Sequence, residues 1–144
     1  MMYATVDDMV GRFGRVEVTR LSQIEDRETT EIDLEKVARA IGDATAIVDG
    51  YLRGRYQVPV INPPADLIRA TCILARYDLA KSDRSDPTDQ MQKDYDDVIR
   101  WLTDVQKGIV KLAAKTANEQ INNSGVARFE DRSAIFTPQS LRGA

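Results

Sequence analysis

Asp33-Leu34-Glu35-Lys36-Val37-Ala38-Arg39-Ala40-Ile41-Gly42-Asp43-Ala44-Thr45-Ala46-Ile47-Val48-Asp49-Gly50-Tyr51-Leu52 is the stretch on which the fold turns. Val37, Ala40, Ile41, Ala44, Ile47, Val48, Tyr51 and Leu52 recur at intervals of three and four. At 3.6 residues per turn they share one face of a helix, while Glu35, Arg39, Asp43 and Asp49 share the other. Asp33 suits the N-cap, where its carboxylate can accept from a free amide. Gly42 and Gly50 each cost about 1 kcal/mol relative to alanine, which leaves close helix packing or no role at all.

After this helix, Tyr56-Gln57-Val58-Pro59-Val60-Ile61-Asn62-Pro63-Pro64 cannot be helical. Its prolines lack amide donors and push their predecessors toward extended geometry, so an extended connection is expected, with Pro64 in the first turn of the next helix. From Ala65 to Lys81 apolar residues cover most sides, as in a central helix enclosed by neighbours. Asp86-Pro87 resembles a cap and first-turn proline, and Met91, Tyr95, Val98, Leu102, Val105 and Ile109 then form a heptad-like stripe ended by Gly108.

Toward the start, Thr5-Val6-Asp7-Asp8 carries a capping signal for a short helix to Phe13, with Gly14 as its stop. Val16 to Ser22 is amphipathic, but its Val and Thr content leaves helix and strand open; residues 25–31 read as a charged surface loop. The expected fold class is all-α: a small helical bundle of short N-terminal helices plus three longer ones, a core over residues 1–112. Residues 113–144 carry too few apolar side chains to fold alone and are expected to be an arm, extended or ordered on partners.

Composition narrows the function classes. A chain of 144 residues fits one domain, and 42% apolar with 6% aromatic residues implies an aliphatic core. With 20 basic against 23 acidic residues there is no general attraction to phosphate backbones. Arg53 and Arg55 could touch DNA locally, but two cations at a helix end also complement the negative end of its dipole. The sequence contains no histidine, the usual general base and commonest metal ligand. Cys72, the single cysteine, lies in an apolar stretch and suits burial. No apolar run approaches a membrane span, and Met1 to Val10 lacks a signal-peptide pattern, so a cytosolic product is expected.

Asp83, Asp86, Asp89, Asp94, Asp96 and Asp97 are dense in acid, but their spacing around a proline is not that of a calcium loop. Tyr51, Tyr56, Tyr77, Tyr95 and Trp101 could stack bases only beside a basic groove, which the sequence does not show, so core packing is the preferred reading for them. Gly11 and Gly14 lack the spacing of a phosphate loop. No catalytic, cofactor-binding or metal residues are expected, and no enzyme activity.

Four segments carry a resemblance: residues 2–14 (MYATVDDMVGRFG), 49–60 (DGYLRGRYQVPV), 63–80 (PPADLIRATCILARYDLA) and 94–112 (DYDDVIRWLTDVQKGIVKL). In order and spacing they resemble the Mu gp36-like family of small phage and prophage proteins. The helix pattern is in turn similar to head-tail adaptor proteins of tailed phages. The resemblance implies a structural head-tail connector subunit in a homo-oligomeric ring, a dodecamer matching the portal protein. It would lie between portal and a tail or stopper protein, with genome DNA passing through the channel without sequence-specific binding. It further implies a virion protein at the head-tail interface, made in the host cytoplasm, with no membrane role. The alternatives are a tail-completion or terminator protein, or a small regulatory DNA-binding protein. Expected partner-binding residues are Arg53, Arg55, Tyr56 and Val58 on the proline-stiffened connection and Arg128, Phe129, Phe136 and Leu141 on the arm. Polar replacement of Tyr56 and Val58 is expected to impair docking while sparing the fold.

Overall fold

The structure, a computed structural model, describes residues 1–26, 28–82 and 84–117. Among them lie helices α1 (Val6–Phe13), α2 (Arg15–Ser22), α3 (Leu34–Leu52), α4 (Ala65–Ala80) and α5 (Asp89–Lys107), and no strand. The protein is all-α, as its periodicity predicts.

The start of α1 is fixed by a reciprocal cap: the Asp8 amide donates to Thr5 Oγ1 at 3.1 Å and the Thr5 amide to Asp8 Oδ2 at 2.9 Å. Gly14, at φ +89°, separates α1 from α2, a conformation that a side chain would strain. The open choice for residues 16–22 resolves as helix. Val18, Thr19 and Ser22 are buried, and the Thr19 hydroxyl is satisfied within the helix on the Arg15 carbonyl at 2.8 Å. Ser22 then ties the next element, its Oγ accepting from the Asp33 amide at 3.0 Å. Asp33 in turn caps α3 through the Lys36 amide at 3.1 Å.

Along α3 the expected face is buried at Val37, Ala40, Ile41, Ala44, Val48 and Leu52, with Tyr51 at its edge and Ile47 exposed. Space beside Gly42 and Gly50 is open, so neither glycine serves a close helix approach. Helix α4 packs against both α3 and α5 and buries Leu67, Ala70, Thr71, Cys72, Leu74 and Ala75. Pro64 occupies its N-cap instead of its first turn.

Two details of α5 differ from expectation. Its cap is Thr88, whose hydroxyl accepts from the Met91 amide at 3.1 Å, so Pro87 stands outside the helix. The threonine hydroxyl satisfies a first-turn donor that Asp86 lies too far upstream to reach. At the other end Gly108 adopts the left-handed conformation, φ +83°, and turns Ile109 off the buried stripe into solvent.

Helices α3, α4 and α5 therefore run up, down and up. At 1.5 Å per residue the 19-residue α3 and α5 separate the two ends of the bundle by roughly 28 Å. One end gathers the C-termini of α3 and α5; the other gathers the α2–α3 and α4–α5 connections. Helices α1 and α2 pack along the side and are joined to the bundle by Arg76. Its guanidinium reaches Asp94 of α5 at 2.6 Å and Glu17 of α2 at 3.6 Å, and lies 4.2 Å from the centre of the Phe13 ring of α1.

Candidate functional site

At the end formed by the C-termini of α3 and α5, the chain makes its most elaborate non-helical structure. Arg53 follows α3 as its C-cap and is exposed. Arg55 turns away from α3: its Nε donates to the Gln106 carbonyl, 3.2 Å away, among the last unpaired carbonyls of α5. The dipole it complements is thus that of α5, contributed by a helix 51 residues downstream.

Tyr56 is inside. It retains 4% exposure, and its hydroxyl accepts from the Leu112 amide at 2.9 Å. The expectation that Tyr56 can be made polar without cost to the fold is corrected here, because the ring and its hydroxyl anchor the connection to the segment after α5. Val58 is half-buried and packs against the same core, so its replacement also touches the fold.

Residues 55–57 also pair with residues 115–117. The Gln57 amide donates to the Lys115 carbonyl and the Ala117 amide to the Arg55 carbonyl, both at 3.0 Å, around an antiparallel bridge between Tyr56 and Thr116. The first residues of the expected arm are therefore held against the bundle. Arg128, Phe129, Phe136 and Leu141 lie outside the described residues.

The N-terminus arrives at this end too. The Tyr3 amide donates to Thr45 Oγ1 at 3.1 Å, and its hydroxyl donates to the Asp49 carboxylate while accepting from the Val60 amide at 2.8 Å. Tyr3 was not among the sequence candidates; an isolated aromatic just before the Thr5 cap was its only signal. Burial first, then the bond to Asp49, pushes its phenol up to about 12. A raised folded value means stability that is complete below the unfolded phenol's value near 10 and lost as pH rises toward 12. Urea titrations between pH 9 and 12 are expected to show this loss in the wild type. Tyr3→Phe, weaker throughout, should lose correspondingly less of its stability over that interval; parallel curves would contradict the role of Tyr3.

The surface so assembled is cationic and apolar. Arg53, Arg55, Lys107, Lys111 and Lys115 are exposed along it. Ile61 and Ile109 stand 71% and 69% exposed, with Met1 and Met2 also exposed on the segment that Tyr3 ties down. Of the carboxylates nearby, Asp49 is engaged by Tyr3, Asp104 is half-buried and Asp66 opens α4. A shallow depression of about 260 Å³ lies between Gln57, Pro59 to Asn62 and Lys115.

Asp94 pairs with Arg76 and Asp97 with Arg100 at 2.9 Å. Among the described residues no three or more His, Cys, Asp or Glu side chains gather as metal ligands. Burial raises Cys72 to about 11, and burial with the nearby Asp43 charge raises Asp78. Asp43 and Asp78 line an open depression with Lys36, Arg39 and Lys81, Asp78 being covered only in part. Tyr77 and Tyr95 stack on each other, 4.1 Å between ring centres, and Tyr56 is buried, so the aromatic residues do not form one open platform.

Fold and surface together define a small helical protein with a basic end that also exposes Ile61 and Ile109. Comparison with known proteins supplies the family. The profile described as "Bacteriophage Mu, Gp36" matches residues 3–131. The chain is 30% identical to the Mu-like prophage FluMu protein gp36 of Haemophilus influenzae, over 99% of this chain and 98% of that protein. It is 36% identical to gene product J of Escherichia phage Mu, over 75% of this chain and 74% of that one. The chain belongs to the phage Mu gp36 family, a family of phage and prophage proteins. No helix among the described residues is long and apolar enough to cross a membrane.

Proposed function

We propose that this protein is a non-enzymatic head-tail connector subunit, assembled as a ring, with twelve copies as the leading stoichiometry, on the portal vertex of a tailed phage or prophage. The carrying observation is the end of the bundle where exposed Ile61 and Ile109 stand among Arg53, Arg55, Lys111 and Lys115 on a scaffold held by Tyr3 and Tyr56. Preorganised apolar residues within a charged rim suit protein docking, because little entropy remains to be lost on binding. Family membership supports the phage setting. On this reading the portal binds the basic end, a tail or stopper protein follows, and the genome passes through the ring without base-specific contacts. The finished protein resides in the virion at the head-tail interface and passes through the host cytoplasm during assembly.

Co-sedimentation with portal rings of the same phage tests the face. Ile61→Asp with Lys111→Glu is expected to weaken binding at least about tenfold, or ~1.4 kcal/mol, at unchanged melting temperature. Undiminished binding would remove this end from the portal contact. A chain ending after Ala117 keeps the pairing with residues 55–57. Weaker portal binding by that chain would assign the contact to the segment with Arg128, Phe129, Phe136 and Leu141; unchanged binding would exclude it. Steeply salt-dependent duplex DNA binding through the basic end, without portal binding, would instead favour the DNA-binding alternative.

A further inference from the structure

Among the five cations of the basic end, Arg55 is held in place. Its Nε donates to the Gln106 carbonyl at 3.2 Å, and its guanidinium lies over Gly108. A Cβ at that glycine would stand 2.9 Å from Arg55 Cζ and 3.0 Å from both Nη1 and Nη2. Near-equal distances to the three atoms mean that the group turns its flat face to the glycine and leaves its Nη edge clear of it. Gly108 is needed here twice over, for its φ of +83° and for its missing side chain. Among the described residues neither Nη1 nor Nη2 meets a hydrogen-bond acceptor, and no carboxylate pairs with Arg55. Arg53, Lys107, Lys111 and Lys115 are exposed at the same end and, among the described residues, also form no ion pair. Ile109, 69% exposed, follows Gly108 directly.

We infer that the basic end receives an acidic segment of its partner protein, with one carboxylate on the Nη edge of Arg55 and an adjacent apolar side chain against Ile109. This inference rests on the docking reading proposed above and names the chemistry of what docks. A carboxylate matches the paired N–H groups on the edge of a guanidinium, and such charge-assisted pairs are roughly twice as strong as neutral hydrogen bonds. An arginine ordinarily gives up rotamer freedom when it binds. Gln106 and Gly108 already restrict Arg55, so more of the gain survives as affinity. The C-termini of α3 and α5 oppose an acid with about half a negative charge each, and five cations outweigh them. An exposed ion pair alone contributes little in water. The apolar neighbour matters for that reason: its contact with Ile109 excludes water from the pair, while the other cations steer the remaining acids of the segment. A phosphate backbone would also be drawn to these cations, but it carries no apolar side chain for Ile61 and Ile109 to bury. The combination selects a polypeptide.

The test titrates the isotope-labelled, full-length chain with three capped peptides. One alternates glutamate and leucine, the second has glutamine for glutamate, and the third has alanine for leucine. The first is expected to bind at least about tenfold more tightly than the other two, to shift the Arg55 Nε–H and Ile109 methyl resonances, and to weaken at high salt. Arg55→Lys keeps the charge and removes the fork. It should lower affinity for that peptide and for portal rings of the same phage by about tenfold, at unchanged melting temperature. Ile109→Ser, at an exposed position, should erase the advantage of leucine over alanine. Equal binding of the three peptides, or tighter binding of short duplex DNA than of the acidic peptide, overturns the inference. A collar that forms on the portal equally well with Arg55→Lys, without discrimination among the peptides, removes the carboxylate contact and leaves the connector reading standing. Discrimination among the peptides without portal binding by the wild type supports the acidic segment and counts against the portal as the protein that bears it.

Discussion

Tyr56→Ala lowers the unfolding free energy by about 4 kcal/mol, because it combines loss of a buried aromatic ring with an unpaired amide. The ring is 4% exposed and its hydroxyl is the acceptor for the Leu112 amide. The same change releases residues 55–57 from residues 115–117, whose pairing depends on where Tyr56 sits. Tyr56→Phe separates the two contributions. It keeps the ring and leaves only the Leu112 amide unsatisfied, for a loss of about 1 to 2 kcal/mol. Urea denaturation measures both, and amide exchange at Leu112 and Gln57 should accelerate in each variant. An alanine variant within about 1 kcal/mol of wild type would mean that the basic end is held by something else.

The second large effect belongs to Arg76. Its side chain is 12% exposed, close to Asp94, Glu17 and the face of Phe13, so it joins α1, α2, α4 and α5 at one point. Arg76→Ala is expected to cost about 3 kcal/mol, most of it from leaving two partly buried carboxylates without their cation. Amide exchange should show α1 and α2 opening before α3 and α5. A triple variant, Arg76→Met with Glu17→Leu and Asp94→Leu, should recover most of the loss, since replacing a buried ionic cluster by apolar packing is often neutral. Uniform destabilisation with no earlier opening of α1 and α2 would refute this role.

How far the sequence announces these features depends on how far apart the partners lie along the chain. The face of α3, the caps at Thr5 and Asp33 and the stop at Gly108 are local patterns, and each is found where the sequence places it, apart from Ile47, which is exposed. Helix α2 was ambiguous because β-branched residues suit either geometry; burial of Val18 and Thr19 and the link through Ser22 settle it. The cap of α5 is Thr88, whose hydroxyl sits three residues before the Met91 amide, whereas Asp86 lies too far upstream to reach it. Ile109 continues the heptad in sequence, yet a left-handed glycine one residue earlier turns it outward.

The site was legible only in part. Arg53 and Arg55 are exposed as expected, but the partner of Arg55 is the end of α5, which no local pattern reveals. Tyr56 reads from the sequence either as a core aromatic or as a docking residue on a proline-rich connection; it is a core residue, and its hydrogen-bond partner lies 56 residues away. Tyr3 carries no local signal for the same reason, its contacts lying 42, 46 and 57 residues distant. Long-range polar pairs of this kind leave no periodic trace, and they are what converts a connection into a shaped surface.

The proposed function stands or falls with a ring of this chain on the portal. Electron microscopy of portal rings from the same phage, mixed with the purified chain, tests it most directly. The expected result is a symmetric collar added at the tail-facing end of the portal, matching its rotational symmetry. Bare portals across a range of salt concentrations would contradict it.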